Sequence, residues 1–229
     1  MNEVFNRIEK KYILNKEQLQ ELQQLIDEKM DKDTYHEDVY TIASLYLDTD
    51  NYDLIRRSLD KPNYKEKVRL RCYGKPKLDE NVFLEIKKKY NKCGNKRRIK
   101  LKLEDAYEFI KGNIKPKSQV GKELEYTILK DNLKPKIYIA YDRVAYEEKE
   151  NKNLRITLDF NIRYRTNNLN LEYGDKGEYL EKNICIMEVK SNKAIPLWLV
   201  KKLSELKLYS QSFSKYGNIY QKLKKEGKI

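Results

Sequence analysis

Two neighbouring segments, 67–74 and 82–89, alternate strictly between polar and apolar residues. A period of two places alternate side chains on opposite faces of a strand, so each segment is predicted to be a strand with one apolar and one charged face. The connection 74–81 is rich in turn-forming residues and predicts an antiparallel hairpin with a long loop. The charged face carries Lys67, Arg69, Arg71 and Tyr73 from the first strand and Glu85, Lys87 and Lys89 from the second.

The same alternation recurs in four further segments that lie far apart in the sequence. A solvent-facing sheet surface would account for one such strand. Many fixed positive charges on one surface repel one another unless an anion lies among them, so the recurrence favours an anion-binding face. The polar positions are Arg7, Glu9 and Lys11; Tyr141 and Arg143; Arg155, Thr157 and Asp159; and Glu188 and Lys190.

The remaining elements follow from helical spacing, caps and turn residues. After the first strand, 7–14, Asn15 is predicted to cap a helix with Gln18 at the capping-box position. The polar loop 31–38 carries the only histidine, His36, which is interpreted as a surface residue, and the pair at 134–135, Lys-Pro, is predicted to end a helix. Further strands are predicted at 39–48, 94–101, 136–146, 153–160 and 184–190, and further helices at 51–59, 104–111, 122–130, 196–206 and 212–225.

These elements predict an α+β fold with about eight antiparallel strands. If the charged faces pointed to bulk water, the sheet would be open. Closure of about eight strands would instead leave an interior for one small ligand and would remove exposed edges. The charged parity on both early and late strands favours closure, so we predict an eight-stranded β tunnel, a closed barrel with a basic lumen and helices packed outside.

Composition bounds the size of the fold and the class of partner. The chain has 229 residues, of which 39% are hydrophobic and 37% charged, and no Gly/Ser/Pro-rich linker divides it. We therefore predict a single domain, 1–229. The formal net charge of +13 predicts an acidic partner, which charge alone leaves open between nucleic acid, anionic lipid and polyphosphorylated small molecules.

Cysteine use and apolar segments predict the compartment. Cys72, Cys93 and Cys185 are widely spaced, without a CxxC pair, and are interpreted as reduced core residues rather than disulfide or zinc ligands. The first residues lack the apolar core of a signal peptide, and no apolar stretch approaches the ~20 residues of a membrane-spanning helix. We expect a cytoplasmic location.

Eight short motifs, in order from about residue 5 to residue 220, together resemble a known family. The chain resembles the VTC domain, which is the catalytic polyphosphate-polymerase domain of the vacuolar transporter chaperone complex and lies within the triphosphate tunnel metalloenzyme superfamily. Any one of these motifs alone is weak, whereas eight in order are specific. The motifs are Arg7-Ile-Glu-Lys-Lys-Tyr12, Ser44-Leu-Tyr-Leu-Asp48, Arg69-Leu-Arg-Cys-Tyr-Gly74, Phe83-Leu-Glu-Ile-Lys87, Tyr141-Asp-Arg-Val-Ala-Tyr146, Arg155-Ile-Thr-Leu-Asp159, Met187-Glu-Val-Lys190 and Phe213-Ser-Lys-Tyr216.

The resemblance implies a tunnel that holds a triphosphate among basic residues together with Mn²⁺ or Mg²⁺. Glu188 is implied as the principal metal ligand, with Glu9 and Glu85 as further candidates. The placement of Lys96 and Arg98 leaves a one-residue slip open, because Arg97 lies between them. The implied catalytic set is Lys11, Arg69, Arg71, Lys87, Arg143, Arg155 and Lys215, and the implied substrate-binding set is Lys96, Arg98, Tyr141, Ser214 and Lys190.

The sequence leaves three functions open. The first is a metal-dependent polyphosphate polymerase that transfers the γ-phosphoryl group of ATP or another triphosphate to inorganic polyphosphate, and the second is a tripolyphosphatase or nucleoside triphosphatase. The third is a non-catalytic polyphosphate- or nucleic-acid-binding module, although nucleic acid is not expected because the cations follow sheet parities. No Walker loop, Rossmann fingerprint or kinase motif is present, so specificity is expected to lie in the phosphate chain. The sequence also leaves open whether a separate membrane protein is a partner.

Overall fold

A computed structural model of the chain describes residues 8–33, 38–91, 93–149 and 153–229. Arg7 and His36, which figure in the sequence predictions, lie outside the described residues. Within them the strands are β1 (Ile8–Leu14), β2 (Met30–Lys32), β3 (Tyr40–Asp48), β4 (Tyr64–Tyr73), β5 (Asn81–Tyr90), β6 (Cys93–Lys102), β7 (Lys134–Glu148), β8 (Leu154–Arg165), β9 (Glu178–Tyr179) and β10 (Cys185–Ser191). The helices are α1 (Lys16–Lys29), α2 (Asp53–Leu59), α3 (Leu103–Ile110), α4 (Gln119–Lys130), α5 (Leu197–Glu205) and α6 (Lys215–Lys225).

The strands form one hydrogen-bonded sheet with the order β1-β10-β8-β7-β3-β4-β5-β6. Two short strands lie off this path, since β2 pairs with β7 and β9 pairs with β8. The described ladders whose register is defined are antiparallel. The predicted α+β class with an antiparallel sheet is therefore confirmed. The described pairings join no ladder between the end strands β1 and β6, so the closed tunnel stays a prediction.

The chain folds into two compact units. The first contains Met1–Tyr40, Tyr141–Ile162 and Glu181–Phe213, and the second contains Thr41–Ala140, Arg163–Leu180 and Ser214–Ile229. Each unit is built from separate stretches of sequence, so the composition of the chain does not mark the boundaries between them. The single domain predicted for 1–229 stays a prediction.

The second unit shows why the alternating segments fold as strands. The apolar parity of β4 and β5 is 0–1% exposed and packs with residues of α3 and α4 into one core. Burial of this parity turns the opposite parity, with its cations, away from the core. The buried strand residues are Val68, Leu70, Cys72, Val82, Leu84 and Ile86.

The first unit is built on the same principle around β1, β8 and β10. Its core joins these strands to α1 and α5 through Leu14, Leu22, Ile156, Met187 and Leu199. The predicted capping box is present, because the Asn15 side chain accepts from the backbone N–H of Gln18 and the Gln18 side chain accepts from that of Asn15. Helix packing on the apolar face again leaves the charged parity on the other side.

Several predicted boundaries are wrong, for local reasons. The loop 31–38 is wrong at its start, because Met30–Lys32 forms β2. The pair at 134–135 opens β7 instead of ending a helix, because α4 already stops at Lys130. The helix is terminated by the left-handed conformation of Asn132 (φ 47°) and by the hydrogen bond from Leu133 N–H to Ile128 O.

The last helix and the cysteines also differ from the sequence predictions. The α6 helix begins at Lys215 rather than at 212, because Ser214 is its N-cap and accepts from Gly217 N–H at 3.1 Å. The three cysteines are free, as predicted, but Cys93 is exposed and not part of a core. None of the helices in the described ranges is long and apolar enough to cross a membrane.

Candidate functional site

The polar side of β4, β5 and β6 in the second unit is called the basic face. The register places Lys67 opposite Lys87 and Lys87 opposite Lys96, and the next row contains Arg69, Glu85 and Arg98. Like charges directly opposite one another destabilise a sheet, so a row of three lysines favours a bound anion. The face is defined by Lys67, Arg69, Arg71, Lys87, Lys96 and Arg98.

Glu85 organises the cations of the basic face. It is 1% exposed, and its Oε2 accepts from Arg69 Nε at 2.9 Å and lies 2.8 Å from Arg69 Nη2. Lys96 Nζ forms an ion pair with Oε1 at 2.9 Å, and Arg71 Nε lies 3.8 Å from Oε2. Burial raises the pKa of this carboxyl, but the charges of Arg69, Arg71 and Lys96 outweigh it and lower the pKa to about 2. These contacts make Glu85 the counter-ion of three cations, and its role as a further metal ligand stays a prediction.

Two residues of β3 support the arginines. Arg69 Nη1 donates to the hydroxyl of Tyr46 at 3.0 Å, and Arg71 Nε donates to Ser44 Oγ at 3.4 Å. Burial raises the pKa of Tyr46, but the charges of Arg69, Arg71 and Lys67 outweigh it and lower the pKa to about 8. The lowered pKa of Tyr46 reflects the positive charge of these three neighbours.

The register removes the ambiguity in the third strand. Lys96 and Arg98 lie opposite Lys87 and Glu85, and therefore share their face. Arg98 stacks its guanidinium 4.3 Å from the centre of the Phe83 ring. The intervening Arg97 lies on the other side, 2.7 Å from Glu123 of α4.

The start of α6 contributes to the second unit as well. Lys67 Nζ donates to Ser214 Oγ at 2.9 Å, which is the same oxygen that caps the helix. Lys215 follows as the first residue of α6 and is half-buried. Both predicted residues, Ser214 and Lys215, thus belong to the same unit as the basic face.

A different distribution of charge is found in the first unit, on the polar side of β1, β7, β8 and β10. This surface is called the mixed face and is defined by Lys11, Arg143, Arg155, Thr157, Glu188 and Lys190. Its carboxylate Glu188 lies 3.2 Å from Lys11 Nζ, 3.3 Å from Lys190 Nζ and 3.9 Å from Arg143 Nη2. Lys11 also donates to the backbone oxygen of Phe213 at 3.1 Å.

The arginines of the mixed face are held by carboxylates. Arg143 binds Asp159 through two hydrogen bonds, of 2.5 and 2.7 Å, and Arg155 Nη2 donates to Asp33 Oδ2 at 2.6 Å. Burial lowers the pKa of Arg143, but the charges of Tyr141, Asp159 and Glu188 and the hydrogen bond to Asp159 outweigh it. They raise the pKa well above its usual value. These contacts fix the positions of both guanidinium groups.

The remaining predicted residues of this unit lie beside these groups. Tyr141 is buried, and the Arg143 guanidinium lies 5.3 Å from its ring centre. Glu9 is opposite Lys190 in the β1–β10 register, and its Oε1 lies 3.9 Å from Lys11 Nζ. No group of three His, Cys, Asp or Glu side chains that could hold a metal is found among the described residues.

The chain matches the family model of the VTC domain over residues 6–224. The chain is a VTC domain. Within a curated protein of Trypanosoma brucei brucei, vacuolar transporter chaperone complex subunit 4, a similar stretch is 33% identical over 93 residues, which covers 35% of this chain and 12% of that protein. The chain therefore spans only a small part of the length of that relative.

Solved structures resemble this VTC domain at low sequence identity. The Hippeastrum protein HpAC1 is 16% identical with a TM-score of 0.54 and covers 97% of each chain. The PH1819 protein of Pyrococcus horikoshii OT3 is 15% identical with a TM-score of 0.48, covering 94% of this chain and 99% of that one. The first of these shows that the fold is shared.

The site residues predicted from the sequence leave out several polar residues of the VTC domain's two faces. Lys67 is predicted on the charged face with the same parity as Arg69, but it is not among the predicted site residues. The alternation of residues within its own strand could likewise have identified Tyr46. Asp33 carries no periodic signal, since it lies just after β2, and its partnership with Arg155 depends on the fold.

Proposed function

We propose that this VTC domain is a polyphosphate polymerase that transfers the γ-phosphoryl group of ATP to the end of a growing polyphosphate chain. In this reaction a terminal oxygen of polyphosphate forms a bond to the γ-phosphorus of ATP. The bond between the γ-phosphorus and the β,γ-bridging oxygen breaks, and that oxygen stays on ADP. ADP leaves and the chain grows by one phosphate. Such a transfer needs mainly alignment and neutralisation of charge on the phosphate oxygens.

The row of lysines on the basic face carries the proposal. Lys67, Lys87 and Lys96 occupy neighbouring register positions. Glu85 forms ion pairs with Lys96 of this row and with the two arginines of β4. A chain of phosphates would offset the repulsion between these lysines. Lysine side chains would bind the phosphates as point charges, and arginine side chains would bind them through two parallel hydrogen bonds. A basic-lumened, closed eight-stranded tunnel is the arrangement we propose for the sheet.

We further propose that Mn²⁺ or Mg²⁺ takes part, held by Glu188. A carboxylate oxygen is the type of donor that these hard cations prefer, and they retain water and phosphate oxygens as further ligands. When bound, the metal would supply neutralisation of phosphate charge. Lys11, Lys190 and Arg143 would hold Glu188 in place and contact phosphate oxygens.

The direct test is an incubation of purified protein with ATP and Mn²⁺, followed by gel analysis for long polyphosphate. Lys87→Ala should lower polymer yield strongly because it removes the central lysine of the row. Lys88→Ala is the matched control, since Lys88 pairs with Glu123 at 2.7 Å on the other side of the same strand. Equal yields from the two variants would contradict the assignment of the basic face.

A triphosphatase is the second candidate, in which water replaces the polyphosphate acceptor. It is favoured by the structural likeness to HpAC1, for which a dominant triphosphatase activity is reported. Release of orthophosphate without polymer would select it.

The net charge leaves a binding module as a further outcome. Nucleic-acid binding would fall steeply with salt. If tripolyphosphate failed to displace tightly bound single-stranded DNA, the phosphate-chain proposal would fail.

We also propose a cytoplasmic protein that works with a separate membrane protein. The similarity to a subunit of a vacuolar transporter chaperone complex supports a multiprotein setting. Co-purification of the tagged protein from its native cells, with identification of bound membrane proteins by mass spectrometry, tests this part.

A further inference from the structure

The hydroxyl of Thr157 has no hydrogen-bond partner among the described residues. Thr157 lies on β8, is 1% exposed, and its Oγ1 is buried. Leaving a buried hydroxyl unpaired costs stability, and a valine would fill the same space without that cost. The side chain therefore points to a group that completes its hydrogen bonding.

The position of Thr157 places this hydroxyl on the mixed face. It is directly opposite Glu188 in the β8–β10 register, and Arg155 and Asp159 flank it on the same parity of its own strand. The neighbouring charged groups have partners, because Arg155 binds Asp33 and Asp159 binds Arg143. A hydroxyl can donate one hydrogen bond and accept others, so an oxygen-rich ligand would satisfy it.

We propose that Thr157 is a further substrate-binding residue, whose hydroxyl donates a hydrogen bond to a phosphate oxygen of the bound triphosphate or polyphosphate. This inference rests on the proposed function. An anionic oxygen is favoured over a neutral one because a hydrogen bond to a charged acceptor is stronger. Lys11, Arg143, Arg155 and Lys190 offset the negative charges of Glu188 and Asp159 on this face.

Thr157→Val separates this role from a structural one. The variant keeps the shape and removes the hydroxyl. Without ligand, its melting temperature should equal or exceed that of the wild type, because an unpaired polar group is removed. In calorimetric titration with tripolyphosphate in EDTA, its affinity should fall at least about tenfold. Thr157→Ser, which retains the hydroxyl, should recover most of the affinity.

The control is Thr127→Val, at another buried threonine whose hydroxyl donates to the Glu123 backbone oxygen at 2.9 Å. It should not change tripolyphosphate affinity. Wild-type affinity in Thr157→Val, or a loss seen only when Mn²⁺ is present, would overturn the inference, the latter because the hydroxyl would then serve the metal's ligands. Failure of the wild type to bind tripolyphosphate would instead overturn the proposed function.

Discussion

Glu85→Gln is the substitution that most directly tests how the basic face is built. It keeps the size of the side chain but removes the charge that Arg69, Arg71 and Lys96 share. Glu85 is 1% exposed, so these cations would lose a buried partner. Removal of one partner from a buried ion pair typically costs about 3–5 kcal/mol.

The pKa of Glu85 gives a second value for the contribution of its charge to the free energy of unfolding. A decrease from 4.5 to about 2 corresponds to roughly 3 kcal/mol in favour of the folded state. Because the folded pKa is depressed, this contribution is present above pH 4.5 and is lost as the pH falls towards 2. The wild type should therefore be more stable to unfolding than Glu85→Gln by about 3 kcal/mol at pH 7, and this difference should become smaller below pH 4.5.

Urea unfolding at several pH values, followed by circular dichroism, measures this difference. Tripolyphosphate should bind Glu85→Gln more tightly than wild type, since the carboxylate no longer competes for the cations, and should recover part of the lost stability. Mn²⁺ affinity should not change if Glu85 is a counter-ion. Glu123→Gln is the control: its ion pairs with Lys88 and Arg97 lie on the other side of the sheet, and the phosphate affinity should stay at the wild-type value.

Wild-type stability of Glu85→Gln at pH 7 would refute the assignment of Glu85 as the buried centre of the cations. Weaker tripolyphosphate binding would show that the carboxylate chiefly orients the arginines, and a loss of Mn²⁺ affinity would support Glu85 as a metal ligand. Each result points to a different role, because stability, anion affinity and metal affinity are measured separately.

Three further predictions concern individual residues of the two faces. Arg71→Ala should weaken tripolyphosphate binding by about 10- to 150-fold in calorimetry, as expected for loss of a charge-assisted hydrogen bond, whereas Arg97→Ala should not. Glu188→Gln should lower Mn²⁺ affinity and reduce turnover at least ~100-fold while metal-free tripolyphosphate binding persists or tightens; near wild-type turnover at limiting Mn²⁺ would contradict the metal assignment. Tyr46 should ionise with a pKa of about 8 in ultraviolet titration, a step that Tyr46→Phe removes and that bound tripolyphosphate shifts upward; an unchanged pKa in the complex would place the phosphate away from Tyr46.

The alternation of polar and apolar residues was enough to predict which side of β4 and of β5 is charged. This works because the helices bury one parity, as at Val68 and Leu70, and geometry then sends Lys67 and Arg69 to the other side. Strand pairing required more than parity. The sequence 96–98 allowed either of two registers, and only the ladder with β5 places Lys96 and Arg98 on the basic face.

The partners of the predicted cations could not be found from the sequence. Arg155 binds Asp33 across 122 positions of chain, and no local pattern marks that pairing. The orphaned hydroxyl of Thr157 is equally hidden, since a threonine in a strand is ordinarily explained by its β-branched shape. Long-range contacts and rotamers decide both cases, and neither has a periodic signal.

The ion pairs change how the positive charge of this chain should be understood. The sequence predicts cations that repel one another, whereas the folded chain places Glu85 among the cations of the basic face and Glu188 among those of the mixed face. A phosphate ligand would then compete with these carboxylates for the cations. A single phosphate offers few oxygens for the exchange, but a chain of phosphates can meet several cations while losing its translational freedom only once. Internal carboxylates would therefore favour polyphosphate chains over orthophosphate, even though they lower the net positive charge.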